Sequence, residues 1–74
     1  MQAIVITTNK VPTNVILVDP TTDPIAKLED HYALTTGKEL SDNKKFDSFD
    51  FSPESTFEWK NRDGDKVAAT LLEV

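Results

Sequence analysis

Cysteine is absent from this chain of 74 residues. That removes disulfides and thiolate metal sites as means of holding it together. Glycine occurs only at Gly37 and Gly64, too sparsely for a phosphate-cradling loop. Histidine occurs once, at His31, so the usual ligands of a structural zinc site are missing. No aliphatic run is longer than Val15-Ile16-Leu17-Val18, far short of the ~20 apolar residues that span a bilayer. The N-terminus lacks the basic segment and apolar stretch of a signal peptide. Basic residues are also in deficit: 8 Lys and Arg stand against 13 Asp and Glu, for a net charge of −5. Such a surface repels nucleic acid, where affinity comes from neutralising phosphates. A soluble, cytoplasmic protein is expected, with no membrane contact and no direct nucleic-acid binding.

What remains is a small domain with regularly placed apolar residues. They make up 38% of the chain, which argues against disorder. One domain over residues 1–74 is expected, and its small size leaves it marginally stable. Residues 3–8, AIVITT, and 13–19, TNVILVD, are rich in β-branched side chains. They read as two antiparallel strands joined by a short loop at NKVP. Pro12 excludes a central paired strand at its own position. Both faces of each strand look apolar, so both strands are expected to be well covered.

A helix is expected over 24–36. Asp23 serves as N-cap, Pro24 suits the first helical position, and Gly37 supplies the left-handed residue beyond the end. Ile25, Leu28 and Tyr32 form its apolar stripe, with Ala33 and Leu34 widening it. Ser41 or Asp42 is expected to cap a single turn through Lys45. Phe49 and Phe51 alternate with polar residues and suggest an extra edge strand. Pro53 ends that segment.

STFEWKN and KVAATLLEV flank the turn Asn61-Arg62-Asp63-Gly64. A two-residue loop would set Trp59 opposite Ala68. A type I turn with Gly64 in a bulge would set Trp59 opposite Val67 and Phe57 opposite Ala69. The second register gathers Phe57, Trp59, Val67, Ala69 and Leu71 on one face, and a one-residue slip would scatter them. The bulged loop is therefore expected.

Hairpin, helix and hairpin in this order predict an α+β fold. A mixed or antiparallel sheet of four to five strands would carry one helix on one face. If the first and last strands pair in parallel at the centre, the arrangement is a β-grasp. The opening Met1-Gln2, the apolar first strand, the hairpin and the capped helix resemble the layout of ubiquitin-like domains. The chain ends Leu71-Leu72-Glu73-Val74, with no Gly-Gly tail, so conjugation through that end is not expected.

Catalytic chemistry has little to rest on. His31 follows Glu29 and Asp30, but such close neighbours do not face each other on a helix. Asp63-Gly64-Asp65 lacks the ligand series of a calcium loop, and turn chemistry accounts for its glycine. A non-enzymatic protein without cofactor or metal is expected. The distinctive stretch is KKFDSFDFSPESTFEW, residues 44–59. Phe57 and Trp59 belong in the core. At least one of Phe46, Phe49 and Phe51 is expected at the surface, ringed by Asp47, Asp50 and Glu54. Aromatic anchors in a polar ring are the usual makings of a protein-binding hot spot. The expected function is that of a small acidic accessory, adaptor or inhibitor protein, and the acidic ring favours a partner with a basic surface. Two alternatives stand beside it. One is a nucleic-acid mimic using Asp42, Asp47, Asp50, Glu54, Glu58, Asp63 and Asp65, although Lys44, Lys45, Lys60, Arg62 and Lys66 lie among them. The other is a homodimer through an exposed sheet edge, formed by the second strand.

Overall fold

The computed structural model describes residues 1–73. Four strands form one antiparallel sheet: β1 (Gln2–Thr8), β2 (Val11–Val18), β3 (Thr56–Lys60) and β4 (Lys66–Glu73), in the order β2-β1-β4-β3. Helix α1 (Pro24–Thr36) follows β2. A 3₁₀ turn (Leu40–Asp42) and a single helical turn, α2 (Lys44–Asp47), lead towards β3.

The ends of α1 follow from local chemistry. The Asp23 carboxylate accepts from the Ile25 N–H at 3.0 Å, and Gly37 takes φ 74° at the far end. Upstream, Asp19 Oδ1 accepts from the Thr21 N–H and from the hydroxyls of Thr21 and Thr22. These bonds hold the Asp19 carboxyl below its ordinary range. Leu28 and Tyr32 are buried and Ile25 is half-buried, as the stripe predicts. Ala33 and Leu34 do not widen it. At about 100° per residue, Leu34 falls on the opposite side of the helix, where it is 74% exposed.

The core lies between α1 and one face of the sheet. Ile4, Ile6, Val18, Val67, Ala69, Leu71, Phe57 and Trp59 point into it. The β3–β4 register is that of the bulged turn: Phe57 pairs with Ala69 and Trp59 with Val67. Gly64 has φ 84°, and its N–H donates to Asn61 O at 3.0 Å. This turn also docks on the helix. The Arg62 N–H donates to Thr35 O at 3.1 Å and Arg62 Nη2 to Leu34 O at 3.2 Å, which satisfies carbonyls that α1 leaves open.

Two expectations about the sheet are corrected. The first and last strands are neighbours at its centre, but they run antiparallel, with Ile4 opposite Leu71 and Ile6 opposite Ala69. The β-grasp layout expected from a parallel central pair is therefore not the one present. Nor is β2 well covered: only Val18 is buried, and Ile16 is half-buried. With the helix on one face only, every second residue of an edge strand meets solvent. Pro12 does lie in β2, at the edge of the sheet. The register shifts between Ile6 and Thr7, whose partners are Asn14 and Pro12, so Thr13 is left as the extra residue.

Candidate functional site

The segment from Leu40 to Ser55 adds no strand. Asn43, rather than Ser41 or Asp42, caps α2, its side chain accepting from the Lys45 N–H at 3.0 Å. Asn43 Nδ2 also donates to the Tyr32 hydroxyl at 3.3 Å, tying the segment to α1. At its far end Ser52, Pro53, Glu54 and Ser55 make a turn, with Glu54 at φ 71°. The Glu54 N–H donates to Leu71 O at 2.7 Å, which fastens the segment to β4.

This path turns the phenylalanines inward. Phe51 is buried, and Phe46 and Phe49 are half-buried against the core. The rings of Phe46 and Phe49 lie 5.5 and 5.0 Å from that of Phe57. Phe51 lies 6.0 Å from Phe49, and Trp59 lies 5.9 Å from Phe57. Phe46 and Phe49 keep part of their surface in water, short of the substantial exposure expected of at least one of the three, and Phe51 has almost none. Asp47, Asp50 and Glu54 are exposed. The rings extend the core below the sheet–helix layer, while the carboxylates face water.

Exposed apolar surface lies instead on the helix-free face of the sheet. Its side chains follow from the register. Leu17, Ala3 and Leu72 form one cross-strand row, and Val15, Val5 and Thr70 the next. Leu17 is 63% exposed, Val15 57% and Leu72 38%. Ala3 is buried between its two leucine neighbours. Away from β2 the face becomes polar: Thr70 bonds Thr56, and Glu58, Lys60 and Lys66 follow. Carboxylates edge the apolar row. Asp19 follows β2 and Glu54 is pinned to the end of β4 through Leu71, whereas Glu73 lies on the helix side of the sheet, where its carboxylate accepts from Gln2 Nε2 at 3.1 Å. The alternation of β2 could have revealed this face, had the helix been assigned to the side of Ile16 and Val18.

The carboxylates considered for nucleic-acid mimicry are spread over several elements. Asp42 sits in the 3₁₀ turn, Asp47 at the end of α2, Glu58 on β3, and Asp63 and Asp65 in or beside the β3–β4 turn. Among the described residues no group of three or more His, Asp or Glu is placed to hold a metal ion, and no helix is long and apolar enough to cross a membrane. No family model, curated protein or solved structure matches the chain.

His31 meets Trp59 edge-on, with ring centroids 6.4 Å apart, beside Ile16, Lys27, Asp30 and Leu34. Partial burial lowers its pKa below 6.5. The unfolded chain therefore binds more protons than the folded one just below pH 6.5. The contribution of His31 to stability is intact above 6.5 and declines as pH falls towards the lowered folded value. Denaturant unfolding at pH 7.5 and 5.5 should show a loss in the native chain that His31→Gln largely removes. Identical losses in both proteins would refute this assignment.

Proposed function

We propose that this protein acts by binding another protein, as a small acidic accessory or inhibitor chain with no catalytic role of its own. The carrying observation is the row Leu17–Ala3–Leu72, with Val15 and Val5 beside it, on the uncovered face of the sheet. Contiguous apolar surface on a small protein commonly marks an interaction site. The carboxylates of Asp19 and Glu54 at its margins favour a partner with an apolar centre and basic surroundings. Such a rim would act mainly on the rate of encounter. Glu54 thus keeps the partner-binding role expected of it. Phe46, Phe49 and Phe51 act indirectly, by shaping the segment that carries it.

Leu72→Lys tests this reading, since the side chain lies on the uncovered face and its loss leaves the core intact. Proteins captured from the native host by the wild type should be lost with this variant, and their binding should weaken as salt rises. Unchanged capture by Leu72→Lys would remove the face from consideration. A mimic of nucleic acid has less to support it, because its carboxylates are spread over several elements with Lys44, Lys45, Lys60, Arg62 and Lys66 among them. Self-association has a specific observation in its favour. The two edges of the sheet differ: β3 is short and carries Glu58 and Lys60, whereas β2 is longer and has no charged residue from Val11 to Val18. Charge, brevity, proline and bulges keep edge strands from pairing; Pro12 and the bulge at Thr13 guard the start of β2, whereas residues 14–18 carry none of these.

A further inference from the structure

We propose that β2 pairs with β2 of a second copy of this chain, antiparallel and centred on Ile16, joining two four-stranded sheets into one. The proposal rests on the reading of residues 14–18 of β2 as the unprotected edge and adds the occupant and the register.

The occupant follows from charge. Each copy carries a net charge of −5, so two copies repel each other on the whole. The window Val11–Val18 contains no carboxylate, and two copies can meet there without opposing charges.

The register follows from the backbone. The Val15 N–H donates to its neighbour's Asn14 Oδ1 at 2.9 Å, so it points out of the β1–β2 ladder. Leu17, two residues on, presents its backbone groups in the same direction. A two-fold axis at Ile16 sets Val15 opposite Leu17 of the other copy, and Leu17 opposite Val15. Each such pair exchanges two backbone hydrogen bonds, and its side chains are both apolar. Asn14 gives up the Val15 N–H to the new partner. Pro12 and Pro20 lie four residues to either side of Ile16, so they face each other across the axis and bound the ladder at both ends. Pairing centred on Val15 or Leu17 would bring only one mutual outward pair to the axis and would set Leu17 or Val15 against Thr13 or Asp19. Between those prolines the regular ladder runs over residues 14–18, from the bulge to the end of β2, and spans ~17 Å, less than a standard interface, so the dimer is weak and concentration-dependent.

Cross-linking reads the register directly, because the chain has no cysteine of its own. Centred on Ile16, the two copies bring this residue to about 4.5 Å between Cα atoms, within the range a disulfide bridges. Ile16→Cys should give a covalent dimer under mild oxidation. Val15→Cys should not, because its counterpart lies on the diagonal, about 7–8 Å away. Sedimentation of the cysteine-free protein up to ~1 mM provides a second measurement, read with the usual tenfold-per-1.4 kcal/mol conversion. The wild type should dimerise more strongly as salt rises, because salt screens the repulsion between like-charged copies. Leu17→Pro removes one outward N–H at an edge position, where proline is tolerated, and should weaken the dimer at least tenfold. Leu72→Lys should leave it unchanged, which separates this proposal from binding through the open face. A strict monomer at every concentration and salt, or equal cross-linking of the two cysteine variants, overturns the pairing. Loss of partner capture by Leu72→Lys with no dimer would then leave the open-face reading standing alone.

Discussion

Phe57→Ala is expected to remove a large share of the stability of this protein. The side chain is 4% exposed and sits at the centre of an aromatic group that includes Phe46, Phe49 and Trp59. Truncating a buried Phe typically costs about 3–5 kcal/mol, the lost transfer energy plus the cavity left behind. A chain of 74 residues has roughly 4–11 kcal/mol in total at the usual stability per residue. Collapse around the cavity is limited here, because Phe57 is locked into a ladder opposite Ala69. Phe46→Ala and Phe49→Ala should cost less, on the order of 1–3 kcal/mol, since each is half-buried. Urea unfolding followed by circular dichroism would rank the three. A Phe57→Ala protein within about 1 kcal/mol of the wild type would show that the rings pack loosely and are not a core.

That ranking separates what the sequence made legible from what it did not. Helix α1 was readable because its start and stop are local: Asp23, Pro24 and Gly37 act on their own neighbours. The β3–β4 register was readable for a similar reason, because one glycine and two alternating patterns admit few solutions. The direction of β4 against β1 was not. Both ladders would bury Ile4, Ile6, Ala69 and Leu71, so periodicity does not choose between them. The coverage of β2 also depends on a distant element, namely the face on which α1 settles. The phenylalanines of 46–51 misled because alternation with Asp looks the same in a strand, a surface loop and a loop folded over a core. Their inward direction depends on the capped turn at Asn43 and on the bond from Glu54 to Leu71, two contacts far apart in the chain. The face that now carries the functional reading was visible only as an apolar alternation in β2, without a sign of which side would be left open.

Leu40 is the residue whose importance no local pattern announces, and Leu40→Ala is expected to have the second large effect. It lies in the three-residue 3₁₀ turn Leu40–Asp42, where a leucine would ordinarily be counted as loop, yet it is 1% exposed and part of the core. It anchors the route that leads from α1 to the phenylalanines and on to Glu54. Leu→Ala at a fully buried site costs about 2–5 kcal/mol. The loss should be concentrated in residues 40–55, because that stretch has no strand pairing of its own until Glu54 and Ser55 reach Leu71. Amide exchange should therefore quicken in 40–55 more than in β1 and β4, whose amides are held by the central ladder. If Glu54 contributes to a partner's recognition, this variant should also weaken that binding without touching the apolar row. Uniform acceleration of exchange across the whole chain would instead mean that the segment and the sheet unfold as one unit. Leu40 would then be a global keystone, with no separate role in holding the segment in place.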